Sequence, residues 1–372
     1  YDLTQATIFG LNERLTMAAT SPKIDKNGLT LRESFNKEWE KYEAAVARAQ
    51  GPAMNYGIYA YYAQRNHLVR YAPEIWHRVV SVASSSMLLA DPDFSLSWRE
   101  VRDILARTVV GVAGASVGNN VLHSLVMDIR PAAIKIADKS LYKMENINRV
   151  RLGYWDVVND NSTRTGLSDT LLRNKAAVSA EQIYAIDPFI EVFTYEDGIT
   201  QNNLKKFFDG GGREPKMDIL CEEVDDPRIK IILREEARRR RIPLLMVTDA
   251  GSAVQLDVCR YDLDQSENLT YGVSDEALRA GVGSVYENPG NRAVFYKFVD
   301  ALIGKDYRTG ELAKIIEGKC EIPTSTIIPQ LGSTAAMAGA IAAEAVARIL
   351  LGHHYPSRVI INKHTFTLKQ YP

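Results

Sequence analysis

The pattern of hydrophobic and polar positions changes near residue 108. Beyond that point, short apolar runs alternate with segments in which apolar residues recur at helical spacing. This alternation is typical of an α/β fold with a Rossmann-like doubly wound, mostly parallel sheet. The predicted strands are Val109–Ala113, Ala133–Ala137, Ile190–Tyr195, Met217–Cys221 and Pro243–Thr248, and the predicted helices are Asn119–Asp128, Asn174–Ile186, Asn202–Phe208 and Arg228–Arg240.

The pattern is less regular towards the C-terminus. The sequence predicts a further strand at Gln255–Tyr261, a helix at Arg292–Ile303, a helix of small residues at Ser333–Leu351 and a strand pair within Val359–Leu368. Residues 262–325 show little other periodicity apart from the helix at Arg292. We expect this region to complete the α/β domain, which spans residues 108–372.

The first 107 residues lack the strand and helix alternation. Leu31–Arg48 has helical periodicity and many strong helix formers, and Gly51 and Pro52 end it. Tyr56–Ala63 is rich in aromatic residues, which we interpret as core or interface packing. Ser97–Arg107 predicts a short helix that leads into the first strand. Residues 1–107 are therefore predicted to be a separate, mostly helical N-terminal module.

Composition excludes several function classes. The chain has 372 residues, 46% hydrophobic content and a net charge of −1, which gives no bulk attraction to nucleic acid or to an anionic membrane. The arginine run 238–241 is interpreted as a solvated helix end. No uninterrupted apolar stretch is long enough to span a bilayer, since Ala335–Leu351 contains Glu344 and Arg348. No signal peptide is visible, although a first residue of Tyr1 leaves room for an earlier natural N-terminus.

The three cysteines, Cys221, Cys259 and Cys320, are far apart in the sequence. An odd number without paired spacing argues against a disulfide framework and predicts a cytoplasmic location. Because the chain has no C-x-x-C pair, no zinc site of that type is expected.

The turn after the first strand carries the first candidate chemistry. It reads Gly111-Val-Ala-Gly114-Ala115-Ser116-Val-Gly118, and a helix follows it. Glycines let the backbone approach a phosphate, and the N-terminus of a helix favours negative charge. Asp138 follows the second strand, where an acid accepts hydrogen bonds from ribose hydroxyls. Nucleotide binding is therefore predicted, with a purely structural turn as the alternative.

The same turn also matches the G-x-S-x-G pattern of hydrolases, in which Ser116 would be the nucleophile. A later acid, Asp225 or Asp249, followed by a histidine keeps the required order possible, and the candidates are His353, His354 and His364. Such a turn normally follows several strands, whereas the preceding residues are predicted to be helical. Nucleotide binding is the favoured interpretation.

Polar residues beyond Asp138 indicate a triphosphate. Asn146, Asn148 and Arg149 follow in one loop, and Arg149 supplies a forked donor for phosphate oxygens. Lys175 begins the next helix, from which it can reach the same phosphates. Asp225 and Asp226 come after the Met217–Cys221 strand, at the sheet edge where ligands bind, and a carboxylate there suits Mg²⁺. A simple NAD(P)-dependent oxidoreductase needs Asp138 but not this loop.

The order of these motifs resembles the ubiquitin-activating-like superfamily, the ThiF/MoeB/HesA adenylyltransferases. The similarity covers Val109 to Gly352. The segment Tyr-Ala-Gln-Arg65-Asn66 is similar to the family segment that supplies an arginine to the partner subunit's ATP. The chain departs from the family pattern in a shorter glycine turn, in Ser140 for the second acid, in Asp226 for asparagine and in the absence of zinc-binding cysteine pairs. It therefore resembles a divergent branch.

The resemblance implies ATP-dependent adenylation of a carboxylate, with ATP and Mg²⁺ and without zinc. It implies that Arg149, Lys175 and Arg65 neutralise phosphate charge, that Asp225 binds Mg²⁺ and that Asp138 holds the ribose. The substrate expected from it is a peptide or small carrier protein, as in microcin-type and pantocin-type peptide maturation, and a homodimer is expected. An activator of a ubiquitin-fold sulfur carrier and a tRNA-modifying dehydratase remain alternatives. Cys320 is a candidate thiol, although a lone cysteine is more often structural. The N-terminal module is hypothesised to recruit a leader peptide or to form the dimer.

Overall fold

In the computed structural model, the chain forms two compact units. The described residues are 7–10, 30–33, 58–62, 66–71, 96, 98–153, 156–157, 173–304, 313–314, 317 and 330–372. One unit comprises Tyr1–Arg102 and Glu181–Ile190, and the other comprises Asp103–Ala180 and Glu191–Pro372. The roles predicted for residues 1–107 stay predictions.

The described strands of the N-terminal unit form a four-stranded sheet. They are β1 (Thr7–Gly10), β2 (Thr30–Glu33), β3 (Ile58–Tyr62) and β4 (His67–Tyr71), in the order β1-β3-β4-β2. The prediction of a mostly helical module is wrong for these segments. Tyr59, Tyr61 and Tyr62 are large aromatic residues, which suit a pleated, half-buried surface better than a helix, and the hydroxyl of Tyr61 donates to the Asn66 side chain at 2.9 Å. Most of the helix predicted at 31–48 lies outside the described residues, as does Arg65.

The larger unit is built on a mixed sheet of eight described strands. The strands are β5 (Val109–Ala113), β6 (Ala133–Ala137), β7 (Glu191–Tyr195), β8 (Ile219–Glu222), β9 (Leu244–Ala250), β10 (Ala253–Cys259), β11 (Arg358–Asn362) and β12 (Thr367–Tyr371). They are arranged in the order β12-β11-β10-β9-β8-β5-β6-β7. The neighbouring pairs from β9 to β7 are parallel, and those from β9 to β12 are antiparallel. The predicted α/β, mostly parallel fold is confirmed.

The helices that accompany these strands lie close to their predicted positions. Every residue of β5 and β6 is buried, which explains why both strands are apolar apart from the buried Lys135 of β6. Strand order places β5 between β6 and β8, so the loops that follow these three strands meet at one sheet edge. The described helices are α1 (Trp98–Leu105), α2 (Val117–Asp128), α3 (Lys175–Ile186), α4 (Leu204–Asp209), α5 (Pro227–Arg240), α6 (Asp275–Glu287), α7 (Arg292–Ile303) and α8 (Gly332–Leu350).

Helix α8 is long and apolar enough to cross a membrane by length and composition alone, but more than half of it is buried within the protein. It packs against α2 and against β9 and β10. A Cβ added at Gly339 would clash with the backbone carbonyl of Asn120, so the small residues of α8 allow the two helices to approach closely. This contact confirms the prediction of a tightly packed small-residue helix.

Helix α6 was not predicted. The side chain of Ser274 accepts from the backbone N–H of Ala277 and caps it, and Leu278 and Val282 are buried in a cluster that includes Phe298 of α7. The arginine run at the end of α5 is bonded to nearby protein groups instead of forming a free basic patch. Arg238 donates to Asp275 at 2.8 Å, and Arg240 donates to Asp209 at 2.7 Å.

Candidate functional site

A cavity lies where β5, β6 and β8 end. It brings together six residues that the sequence predicted, namely Gly114, Ser116, Asp138, Lys175, Asp225 and Asp226. The other lining residues are Ala137, Lys139, Ser140, Gly198, Ile199, Glu223, Val224 and Ile229. The parallel strand order is what assembles them, because the residues come from segments more than a hundred positions apart in the sequence.

The glycine turn is held tightly against the end of β8. Gly114 has a φ of +94°, and a Cβ at this position would clash with the carbonyl oxygen of Glu223. A Cβ at Gly118 would lie 2.9 Å from Cγ1 of Val112, so α2 begins close to β5. The two glycines are needed for this close approach, and Ser116, the residue just before α2, lines the cavity.

Asp138 supports this turn as well as facing the cavity. One carboxylate oxygen accepts from the backbone N–H of Ala115 at 2.7 Å, and the other accepts from the N–H of Ser140 at 2.7 Å. Each oxygen has a second lone pair, so hydrogen bonds to a ribose remain possible. Ala115 itself is completely buried and contributes its backbone groups only.

Arg149 reaches the glycine turn from the loop after β6. Its Nε donates to the hydroxyl of Ser116 at 3.4 Å, and its Nη1 donates to the side-chain oxygen of Asn148 at 3.1 Å. Asn148 in turn donates to the carbonyl of Gln330 at 3.2 Å, and the buried Asn146 accepts from the N–H of Lys143 at 2.9 Å. Both asparagines thus shape the loop that carries Arg149.

Lys175 is placed by its neighbour Asn174. The side-chain oxygen of Asn174 accepts from the N–H of Ala176 at 2.8 Å, while its amide donates to the carbonyls of Asp138 and Glu196. The start of α3 is therefore fixed to the loop after β6, and Lys175, which is largely buried, lines the cavity. Asn174 was predicted to be the first residue of this helix and was given no role of its own, although asparagine is a common residue just before a helix.

Asp225 and Asp226 have different surroundings. Asp226 caps α5 by accepting from the N–H of Arg228 at 3.0 Å, and it accepts from the hydroxyl of Tyr286 at 2.7 Å. Burial alone would raise the pKa of Asp226, but these hydrogen bonds lower it below the usual value. Asp225 is exposed and forms no hydrogen bond or ion pair with the described residues. Its carboxylate is the one available for a cation.

Two further acids near the cavity were not assigned a role in nucleotide binding from the sequence. Glu223 lines the cavity, accepts from the N–H of Val247 at 2.8 Å, and has its pKa raised well above the usual range by burial. Asp249 ends β9 and accepts from Gln330 at 2.7 Å, and burial raises its pKa to about 7, while Gln330 and Arg149 oppose the shift. The other oxygen of Asp249, Oδ2, has no hydrogen-bond partner in the described structure.

The site geometry does not favour the hydrolase interpretation. The hydroxyl of Ser116 is bonded to Arg149, and a guanidinium cannot accept a proton from a nucleophile. In the hydrolase turn the nucleophilic serine occupies the strained position. Here Ser116 has a φ of −90°, and the residue with a positive φ is Gly114 instead. The thiols of Cys221 and Cys259 are buried and their pKa values are raised by burial, and Cys320 lies outside the described residues.

The chain is similar to several known proteins. The chain is 29% identical over 208 residues to the uncharacterized protein MT1398 of Mycobacterium tuberculosis (strain CDC 1551 / Oshkosh), a match that covers 55% of this chain and 26% of that relative. Among solved structures, PaaA is similar with a TM-score of 0.49 and 14% identity, covering 79% of this chain and 72% of PaaA. MccB of E. coli, crystallised with ATP, is similar with a TM-score of 0.44 and 16% identity, covering 73% of this chain and 65% of MccB. The model of the ThiF family matches residues 99–371. The chain therefore belongs to the ThiF family.

Proposed function

We propose that this protein activates a carboxylate on a peptide or small protein by ATP-dependent adenylation. The observation that carries the proposal is one cavity that combines the glycine turn, Asp138, Lys175 and an unpaired Asp225, with Arg149 bonded to the cavity residue Ser116. Membership of the ThiF family supports an ATP-using enzyme. The peptide substrate and the homodimer are parts of the proposal that follow from the resemblance alone.

The chemistry asks mainly for positioning and charge stabilisation. A carboxylate oxygen attacks the α-phosphorus of ATP, the bond from that phosphorus to the bridging oxygen breaks, and pyrophosphate leaves. Negative charge builds up on the phosphate oxygens in this step. Lys175, Arg149 and the N–H groups at the start of α2 are suited to stabilise it, since fixed donors need no reorganisation during the reaction.

The donor set also fits Mg²⁺. Asp225 offers a free carboxylate, and magnesium commonly takes one or two protein carboxylates together with substrate phosphates and water. When bound, the ion would supply charge neutralisation on the phosphates, and Asp225 would orient it.

The competing functions make different demands on the site. An NAD(P)-dependent oxidoreductase would use the glycine turn and Asp138, but it gives no role to Lys175 or Asp225. Activation of a sulfur carrier and dehydration of a modified tRNA base both use ATP, so they differ in the acceptor and not in the nucleotide site. The acceptor is therefore what the experiment must vary.

The test is ATP–pyrophosphate exchange with candidate peptides, carrier proteins and tRNA, beside binding assays with NAD and NADP. Exchange is expected with a peptide or small protein and to be lost in Lys175→Met and Asp225→Asn. Arg239→Ala is the matched control, since Arg239 is exposed, pairs with Glu236, and lies on α5 about 18 Å from the helix start at the cavity. Failure to bind ATP with Mg²⁺, or binding unchanged in both site variants, would contradict the proposal.

The N-terminal unit is proposed to recruit the peptide or to form the dimer. A separate unit with its own sheet supports a role distinct from nucleotide binding. The full-length protein and a variant that lacks residues 1–100 would be compared in a peptide pull-down and by sedimentation. If truncation changes neither peptide capture nor oligomeric state, this part of the proposal is wrong.

A further inference from the structure

We propose that Tyr142 is a positioning residue that fixes the glycine turn and Lys175 in the orientation that a nucleoside triphosphate requires. This inference rests on the proposed ATP-dependent function and deepens it. Tyr142 lies in the loop between Asp138 and Arg149, and none of the motifs discussed above includes it.

The first observation is a buried hydrogen bond. The hydroxyl of Tyr142, whose side chain is 0% exposed, donates to the carbonyl oxygen of Ala115 at 2.6 Å. In a trans peptide unit the C=O and the N–H point in opposite directions. The Ser116 N–H belongs to the same peptide unit as this carbonyl, so it points away from Tyr142. Because Ser116 lines the cavity, this N–H is placed to bind a phosphate oxygen.

The second observation is that the preceding peptide unit is also fixed. The N–H of Ala115 donates to Asp138 at 2.7 Å, so hydrogen bonds hold Ala115 on both sides. Gly114, just before it, has a φ of +94° and no side chain to restrict it. A glycine can change its backbone conformation at little cost. The bonds to Tyr142 and Asp138 therefore keep the turn in one orientation.

The orientation of the Tyr142 hydroxyl is itself controlled. Its only proton is donated to Ala115, so its oxygen can accept a bond from Ser179 at 3.4 Å. The hydroxyl of Ser179 accepts from the side-chain amide of Asn119 at 3.0 Å, which leaves the Ser179 proton free for Tyr142. Burial raises the pKa of Tyr142 far above its usual value, so the phenol stays a donor at physiological pH.

The aromatic ring of Tyr142 lies beside the Lys175 ammonium group. The Lys175 Nζ lies 5.7 Å from the centre of the Tyr142 ring, within the range of a cation–π interaction. Tyr142 thus contacts two separate parts of the proposed phosphate site, the turn through its hydroxyl and the lysine through its ring. Tyr142 also packs with Val150 and Val178 in the core. Core packing alone does not require its contacts with the glycine turn and with Lys175.

The experiment compares Tyr142→Phe with Tyr261→Phe in the full-length chain. Tyr261 is also 0% exposed and donates to backbone carbonyls, at 3.3 Å to Leu269, but it lies outside the cavity. Affinities for ATP with Mg²⁺ and for adenosine are measured by calorimetry. We expect Tyr142→Phe to lower ATP affinity about tenfold, the typical effect of one lost hydrogen bond, and to leave adenosine affinity unchanged. Tyr261→Phe is expected to change neither affinity.

A purely structural role would lower the unfolding temperatures of both variants and leave the ratio of ATP to adenosine affinity the same, which would overturn the inference. If Tyr142→Phe does not fold, Ser179→Ala replaces it. That variant keeps the tyrosine and is expected to show a smaller loss of ATP affinity alone, and an unchanged ATP affinity would overturn the inference. Failure of the wild-type chain to bind ATP would instead sink the proposed function, so the two failures are distinguishable.

Discussion

The Nε of Arg149 lies 3.4 Å from the hydroxyl oxygen of Ser116, so the loop after β6 meets the glycine turn after β5 at this point. The other side of the guanidinium is held by Asn148, which accepts from Nη1 at 3.1 Å. The arginine is therefore oriented before any ligand binds. Its forked donors lie beside the N-terminus of α2, where negative charge is favoured.

This contact predicts that Arg149→Lys is not a conservative change. A lysine keeps the charge but lacks the planar fork and the bond that orients it, so we expect pyrophosphate exchange to fall by a factor of about ten or more. Ser116→Ala removes a neutral hydroxyl and is expected to cost only about two- to threefold. Arg239→Lys on the exposed face of α5 is the control and should behave as wild type. Exchange rates with saturating peptide give the answer, and a fully active Arg149→Lys enzyme would contradict the role.

Gly114 is predicted to be essential for stability and nucleotide binding, because its backbone has a positive φ and also lies against a neighbouring backbone segment. Its φ is +94°, and a Cβ would clash with the carbonyl of Glu223, which belongs to the backbone and cannot move aside cheaply. Gly272 has a similar φ of +75°, but nothing lies within 4 Å of an added Cβ. We expect Gly272→Ala to lower the free energy of unfolding by about 1 kcal/mol and Gly114→Ala by about 2 kcal/mol or more, with loss of nucleotide binding. Equal effects in urea unfolding would argue against the close approach.

The central parallel strands could be predicted from the sequence because they are buried along their whole length and are therefore mostly apolar. Val109–Ala113 and Ala133–Ala137 are apolar apart from Lys135, and their observed bounds equal the predicted ones. The short strands of the N-terminal unit gave no such signal. Thr30–Glu33 reads TLRE and overlaps the start of the helix predicted at Leu31–Arg48, and its pairing partner His67–Tyr71 is distant in sequence. Strand pairing of this kind depends on tertiary contacts that local periodicity does not report.

Site residues that follow strands could be predicted for the same reason, since a parallel sheet brings its strand ends together. Asp138, Lys175 and Asp225 do line one cavity. Tyr142 and Asp249 could not be found in this way. The role proposed for Tyr142 depends on its contacts with the Ala115 carbonyl and with Lys175, and the raised pKa of Asp249 depends on its burial, neither of which leaves a pattern in the sequence. Arg65 lies outside the described residues and stays a prediction.

Glu222 is predicted to contribute to stability and not to the nucleotide site. Glu222 is the last residue of β8, next to the cavity residue Glu223, but it is fully buried and bonded to Lys230 at 2.7 Å and to Arg234 at 3.1 Å. Glu222→Gln leaves these cations with a neutral partner in a buried site, so we expect a loss of about 3 kcal/mol or more in the free energy of unfolding.

The control for Glu222 is Glu344→Gln. Glu344 is exposed and pairs with Arg348 one turn further along α8, and an exposed pair of this kind contributes less than about 1 kcal/mol. Urea unfolding of both variants measures the difference. Similar losses in the two variants would show that the buried cluster contributes little.

Asp249 is predicted to make the protein less stable as pH rises towards neutrality. Burial raises its pKa to about 7 in the folded state, whereas an unfolded aspartate titrates near its ordinary value of 3.8. Between these two values the folded state binds more protons than the unfolded state, so the free energy of unfolding falls as pH rises. The stabilisation is complete below the unfolded pKa and is lost as pH rises through the folded pKa.

Replacing Asp249 by asparagine removes this titration and keeps the size of the side chain. We expect Asp249→Asn to gain stability relative to wild type between about pH 4.5 and about pH 7.5, by at most about 4 kcal/mol for a shift of about three pKa units. Asp264→Asn is the contrasting control, because hydrogen bonds from Ser266 lower the pKa of that exposed carboxyl and the sign of its effect is opposite. Urea unfolding of the three proteins at each pH measures these differences, and the many other titrating groups cancel in the comparison with wild type. If the wild-type and Asp249→Asn curves run parallel over this range, Asp249 is ionised in the folded protein and its buried oxygen has a partner in solution.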